Sequence, residues 1–343
     1  MTNKSQLLIR QNVSLSEFNT FGVDAFARSY AEVHDVDELR AALSFRDVTD
    51  PLLILGGGSN LLLTKGFSGL VLHIRLQGGT IAAQDADTSY VEAAAGENWH
   101  DFVRWTLDQE LAGLENLSLI PGTVGASPIQ NIGAYGVEMK DAFYSLKAMN
   151  VSDQTIRTFN REECEFSYRD SVFKRELKER YVIISVTFCL SRHAKLILDY
   201  GDIRAELTNM ECSTPSARNV SDAVCNIRRR KLPDPAVIGN AGSFFKNPIV
   251  DRDVLNRIQL SRENIPHYPA PDGKVKLAAG WLIEQCGWKG KSLGQAGVHP
   301  QHALVLVNRG GACGAEILAL AQAIQKSVRE KFLIELEPEP VII

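Results

Sequence analysis

Five stretches of the chain hold residue types from which binding and catalysis could be built. Gly56-Gly57-Gly58-Ser59-Asn60 follows an apolar, strand-like run. Residues without side chains let backbone amides come close to an anion, as the phosphates of a dinucleotide require. The spacing is not Gly-x-Gly-x-x-Gly and no helix signal opens there, so NAD held at a Rossmann turn is disfavoured; a plain turn between strands fits equally well. The second stretch, 120–136, is longer. Pro121, Gly122, Thr123, Gly125, Ala126, Pro128, Gly133, Ala134 and Gly136 repeatedly avoid bulk, which suits a ligand lying along the main chain better than a solvent loop. Gln130 and Tyr135 supply polar groups, Asn131 lies between them, and a tight structural loop is the alternative.

The other three stretches are polar clusters. In Ser167-Tyr168-Arg169-Asp170-Ser171 the arginine offers a planar fork suited to a carboxylate or to the anionic edge of a reduced flavin, against the commoner surface pair of Arg169 with Asp170. Ser243 follows Gly242 and precedes Phe244 and Phe245; this suits a dry pocket with Lys246 and Asn247 nearby, or a β-turn into a buried aromatic strand. Leu336-Glu337-Pro338-Glu339-Pro340 restrains two carboxylates that by default are solvated. Lys231 reads as a cation at a helix end. A serine hydrolase is disfavoured, because Gly-x-Ser-x-Gly is missing and no histidine lies in a telling position. His299 and His302 are isolated, and the six cysteines form no Cys-x-x-Cys, so neither a zinc site nor a redox pair is signalled.

The elements that must position these groups read as a mixed α+β chain. Apolar runs at 52–55, 70–76 and 90–95 are short strands, and 97–110 places Trp99, Phe102, Val103 and Leu107 at helical spacing. A strand at 181–190 is followed by a helix at 216–230, which Pro233 and Pro235 stop, giving a domain boundary near 231–235. Helices at 278–286 and 314–332 flank a strand at 303–307, and 334–343 is strand-like with prolines that confine it to an edge. A length of 343 residues suggests two or three domains. With 45% hydrophobic and 23% charged residues the chain is globular, and a net charge of -4 argues against nucleic acid as a partner. No apolar run is long enough for a bilayer, and residues 1–14 lack a leader's apolar core, so a cytoplasmic location is expected.

Taken together, these stretches closely resemble the UDP-N-acetylenolpyruvoylglucosamine reductase family, flavoenzymes of peptidoglycan precursor synthesis. The likeness runs almost end to end, through Asn19-Thr20-Phe21-Gly22-Val23, 56–60, 120–136, Tyr168-Arg169-Asp170-Ser171, Lys231-Leu232-Pro233-Asp234-Pro235, 242–248 and 336–339. Leu198-Asp199-Tyr200-Gly201-Asp202 looks like the tyrosine-bearing loop that covers the substrate in the longer form of the family. Two departures stand out. The chain stops at Ile343, where longer-form relatives are expected to continue past the Pro-Glu motif, and Pro340 replaces a usual valine and its amide.

The resemblance implies a three-domain α+β flavoenzyme. Residues 1–77 and 78–230 would form a two-part FAD-binding region of the vanillyl-alcohol-oxidase/PCMH type, 231–332 a smaller α/β substrate-binding domain, and 333–343 would return to the FAD-binding region. It further implies that NADPH reduces non-covalent FAD, and that hydride from flavin N5 then reduces UDP-N-acetylglucosamine enolpyruvate to UDP-N-acetylmuramate. Ser243 matches the family's proton donor, and Arg169 and Glu339 match residues that bind and polarise the substrate carboxylate. Tyr200 and Lys231 match diphosphate contacts, with Tyr168, Asn247 and Tyr268 as secondary substrate contacts. A monomer without metal, nucleic-acid or membrane partner is expected. Two other readings stay open: an oxidase of the same architecture using oxygen, and a non-catalytic nucleotide-sugar sensor.

Overall fold

The computed structural model describes residues 7–85, 87–260, 262 and 264–343, so part of the leader segment read above lies outside the described residues. Two compact units emerge: one comprises the described residues up to Val13 with Phe26–Gly58 and Phe67–Arg230, the other Ser14–Ala25, Ser59–Gly66 and Lys231–Ile343.

Among the described residues the first unit holds two larger sheets and the short pair Gly133–Ala134 with Val137–Glu138. In the smaller of the two sheets, Phe67–Ile74 runs parallel to both Phe26–Val33 and Leu52–Leu55. Phe67–Ile74, the strand between these two, is buried on both faces from Gly69 onward, as a central parallel strand must be. Helix Val36–Phe45 supplies one cover; Asp35 caps it by accepting from Glu38 N at 2.7 Å, while the Glu38 carboxylate accepts from His34 N. The larger sheet is antiparallel, in the order Ile156–Asn160, Phe143–Asn150, Tyr181–Ser191, Thr88–Ala94, Gly79–Gln84. Helix Trp99–Asp108 packs on it through buried Trp99, Phe102, Val103 and Leu107, the four positions expected from periodicity, with Trp99 and Phe102 against Phe188.

In the second unit, Gly239–Ser243 pairs antiparallel with Val305–Asn308, which continues to Ala296–Val298 and Ser292–Leu293. The long helix Gly314–Phe332 buries Ile317, Leu320, Ala321, Ile324 and Val328 in this unit's core. The strand expected at 303–307 sits slightly later, and within 334–343 only Val341–Ile342 joins a ladder, parallel to Leu61–Leu62. Pro340 interrupts nothing there: the flanking amides of Glu339 and Val341 bond Phe244 O and Asn60 O, so the amide it lacks is not called for.

Candidate active site

In the first unit the two glycine-rich loops meet backbone to backbone. A Cβ on Gly57 would stand 2.9 Å from Gly122 Cα, one on Gly56 2.6 Å from Thr123 Oγ1, and one on Gly125 2.5 Å from Ala95 Cβ. The missing side chains at these three positions are thus explained by protein packing, which brings the loops side by side. Gly58 and Gly122 are glycines for a different reason, with φ of 61° and 122°.

The segment before the second loop is anchored by both neighbouring helices. Trp99 Nε1 donates to Leu117 O at 2.8 Å, Leu119 N donates to His100 Nδ1 at 3.0 Å, and Ser118 and Ser221 hydroxyls meet at 2.7 Å. Within the loop Asn131 is fully buried; its amide donates to Ser167 O and Glu138 Oε2, and its Oδ1 accepts from Lys140 N. Its side chain therefore serves the loop's own shape, not a direct cofactor contact.

Arg169 reaches the same loop, donating from Nη2 to Gly133 O at 2.7 Å; a Cβ on Gly133 would crowd its Nη1 at 3.0 Å. Its guanidinium lies 5.4 Å from the Tyr168 ring centre. The surface partner considered for it, Asp170, is engaged by Arg175. Leu119, Asn131, Tyr135 and Arg169 all have positive φ, a conformation costing non-glycine residues on the order of 1 kcal/mol each. Tyr200 lies against Gly136, whose Cβ would approach Tyr200 Cβ at 3.2 Å.

Sequence reasoning missed Arg228. Its Nε donates to Leu119 O at 3.1 Å, and among the described residues it makes no ion pair. Burial pushes its pKa down, Tyr135 offsets part of this, and Arg169 adds a like charge nearby. Two guanidinium groups beside one loop make that part of the unit receptive to an anion.

In the second unit Ser243 occupies a bulge. Asn240 pairs with Val307 and Ser243 with Val305, so the serine's strand carries one extra residue, and Gly242 absorbs it with φ of 68°. Buried Asn240 holds the bulge: its Oδ1 accepts from Gly242 N at 2.9 Å and its amide donates to Ile238 O and Pro233 O. Gly239 is a close approach, where a Cβ would meet Phe21 O at 2.3 Å. Asn240 N also donates to Thr20 O, so the Asn19–Val23 motif buttresses the serine's strand. Glu339 N donates to Phe244 O at 2.9 Å, so the two segments are tied through the residue after Ser243. Asn60, closing the first glycine-rich loop, donates to Glu339 O at 3.2 Å.

The remaining expected contacts are distributed as follows. Lys246 Nζ is 2.5 Å from Glu337 Oε1, and Asn247 Oδ1 accepts from Ala279 N at 2.9 Å, so both polar neighbours of Ser243 have other engagements. Lys231 ends helix Ala217–Lys231, and its charge, after that of His299, adds to the lowering of the pKa of half-buried His302 that burial causes first. Tyr268 is exposed on the strand His267–Pro269. Among the described residues no group of three or more His, Cys, Asp or Glu could hold a metal, and no helix is long and apolar enough to cross a membrane.

Residues 27–160 match the family model described as an FAD binding domain. Residues 234–343 match that of the UDP-N-acetylenolpyruvoylglucosamine reductase C-terminal domain. Among solved structures, UDP-N-acetylenolpyruvylglucosamine reductase from Thermus caldophilus superposes with a TM-score of 0.69 at 24% identity over 98% of this chain and 99% of that one. A solvent-stable cholesterol oxidase follows at 0.51 and 10%, over 99% of this chain and 88% of that one. These two likenesses concern the fold alone. Fold and matched domain define an α+β protein with an FAD binding domain. A UDP-N-acetylenolpyruvoylglucosamine reductase from Pseudomonas aeruginosa is 54% identical over 335 residues, covering 97% of this chain and 98% of the relative. One from Burkholderia multivorans is 52% identical over 344 residues, 99% of each. The chain belongs to the UDP-N-acetylenolpyruvoylglucosamine reductase family, with FAD as its cofactor. The expected longer tail of relatives is not found in these two, which the matches cover almost completely.

Proposed function

We propose that this chain reduces UDP-N-acetylglucosamine enolpyruvate to UDP-N-acetylmuramate with NADPH as electron donor, in peptidoglycan precursor synthesis in the cytoplasm. The observation that carries this is a 54% match over 97% of the chain, together with the presence of Ser243, Arg169 and Glu339 in this sequence. Bound FAD supplies hydride from N5 to the terminal carbon of the enolpyruvyl group. The chain's residues then deal with negative charge at the adjacent carbon, delocalised into the carboxylate. Arg169 and Glu339 bind and polarise that carboxylate, and Ser243 Oγ gives its proton to the carbon. The bulge at Gly242 and the backbone bond from Glu339 N to Phe244 O support this reading.

The glycine-rich main chain of 56–58 and 121–136 cradles the cofactor, Lys231 and Tyr200 take the diphosphate, and Tyr168, Asn247 and Tyr268 complete the substrate's surroundings. Residues 1–77 and 78–230 act as FAD-binding subdomains and 231–332 as the substrate domain, in a monomer. Ser243→Ala tests the assignment. Flavin bleaching by NADPH in anaerobic stopped flow should survive, while reoxidation by the enolpyruvyl substrate slows by about a hundred- to ten-thousand-fold. Equal loss of both half-reactions would refute the proton-donor role.

A further inference from the structure

The tyrosine-bearing loop and the cofactor loop are joined through one side chain that the proposed mechanism does not use. Asn116 lies in the anchored segment ahead of the cofactor loop and is 1% exposed. Its amide donates to Tyr135 O at 3.0 Å and to Ile197 O at 2.9 Å. Tyr135 belongs to the cofactor loop and has a left-handed backbone, and Ile197 immediately precedes Leu198-Asp199-Tyr200-Gly201-Asp202. Each amide hydrogen thus fixes the carbonyl of a different loop. The two loops touch again three residues further on, where Gly136 accommodates the root of the Tyr200 side chain and Gly201 faces the Tyr135 ring. Leu196 and Leu198 pack on the helical cluster of Ile203, Leu207, Val220 and Val224, so Ile197 is the residue between two apolar anchors whose carbonyl is left for Asn116.

We infer that Asn116 is a positioning residue that sets where Tyr200 stands relative to the cofactor loop, through its paired hydrogen bonds to Tyr135 O and Ile197 O. A planar amide with two hydrogens is the smallest group that can donate to two carbonyls at once. Serine has a single donor, and aspartate, of the same shape, has none and would set a negative charge against both carbonyls. The ligand affected is the UDP-sugar; the inference rests on the reading of Tyr200 as a substrate contact.

The test is a double-mutant cycle on flavin-loaded protein, using Asn116→Asp and Tyr200→Ala, with the dissociation constant of UDP-N-acetylglucosamine enolpyruvate read from perturbation of oxidised flavin absorbance. Asn116→Asp should weaken binding about tenfold or more while leaving flavin content unchanged, and should have less than about a twofold effect once Tyr200 is alanine. Losses that multiply across the cycle, or an unchanged constant in Asn116→Asp where Tyr200→Ala is impaired, overturn the inference. An unchanged constant in Tyr200→Ala alone instead defeats the underlying substrate-contact reading. If Asn116→Asp does not retain flavin, amide hydrogen exchange on the unaltered holoenzyme decides. Adding the UDP-sugar should slow exchange at 196–201 and 131–136 together, and protection confined to 196–201 overturns the coupling.

Discussion

At the scale of single residues, groups that deal with charge fall into two kinds. Arg228 and Arg169 stand beside one glycine-rich loop, whereas His73 is a buried base in the parallel sheet, paired with Leu55 just ahead of Gly56. Tyr30 donates its hydroxyl hydrogen to Glu32 Oε1, so the 2.7 Å contact between that oxygen and His73 Nδ1 requires the imidazole to donate from Nδ1. Burial lowers the His73 pKa to about 4, with Arg75 adding to the effect. Above its ordinary value near 6.5 the ring is neutral whether folded or unfolded. Between there and about 4 the unfolded chain takes up a proton that the folded one refuses, so stability must fall as pH falls through this window. Denaturant midpoints followed by flavin fluorescence should therefore drop from pH 6.5 to 4, and His73→Phe should flatten that slope. An identical slope in the variant would assign the loss to other groups.

At the scale of elements, the loops show how a sequence signal can be correct in place and incomplete in cause. Glycines 56, 57 and 125 were legible as avoided side chains, and the structure adds a reason that spacing does not show, contact between the loops and with Ala95. Gly57→Ala would force its Cβ against Gly122 Cα, and overpacking of this kind costs about 1–3 kcal/mol. Since the strain falls on the cradle, FAD should dissociate about five- to a hundred-fold more readily, measured by recovery of fluorescence from released flavin. Full retention would show that the cofactor does not depend on this packing. Elements with strong periodicity or clear stops were readable: Leu52–Leu55 and Gly314–Phe332 match the expected bounds. Val36–Phe45 was overlooked although Asp35 and Glu38 announce its start, and Phe143–Asn150 lacks flanking glycine or proline and clean alternation. For the site, Ser243, Arg169 and Glu339 were legible as a set through the resemblance, not singly. Asn116 and Arg228 were not, because their significance lies in which distant carbonyls they reach, and no spacing encodes that.

At the scale of the whole molecule, the chain is not a string of consecutive domains. The second unit draws on Ser14–Ala25 and Ser59–Gly66 as well as on Lys231–Ile343, and the distant segments supply Phe21, Val23 and Leu62 to its core. Phe21 is 1% exposed and meets Phe244 edge to face with ring centres 6.3 Å apart; Leu62 is fully buried and its strand pairs with Val341–Ile342. Losing a buried phenylalanine side chain alone typically costs about 3–5 kcal/mol, and a leucine about 2–5. Two or three such losses match the whole stability of an ordinary domain, about 5–15 kcal/mol. A fragment of residues 231–343, though it spans the whole of the matched C-terminal family domain, should therefore show no cooperative thermal transition by circular dichroism. Adding peptides 14–25 and 59–66 in trans should restore part of that transition, because they return the missing core residues and the partner strand. A cooperative melt of the bare fragment would mean that the core closes without Phe21 and Leu62, and that the interleaving of segments serves some purpose other than the unit's stability.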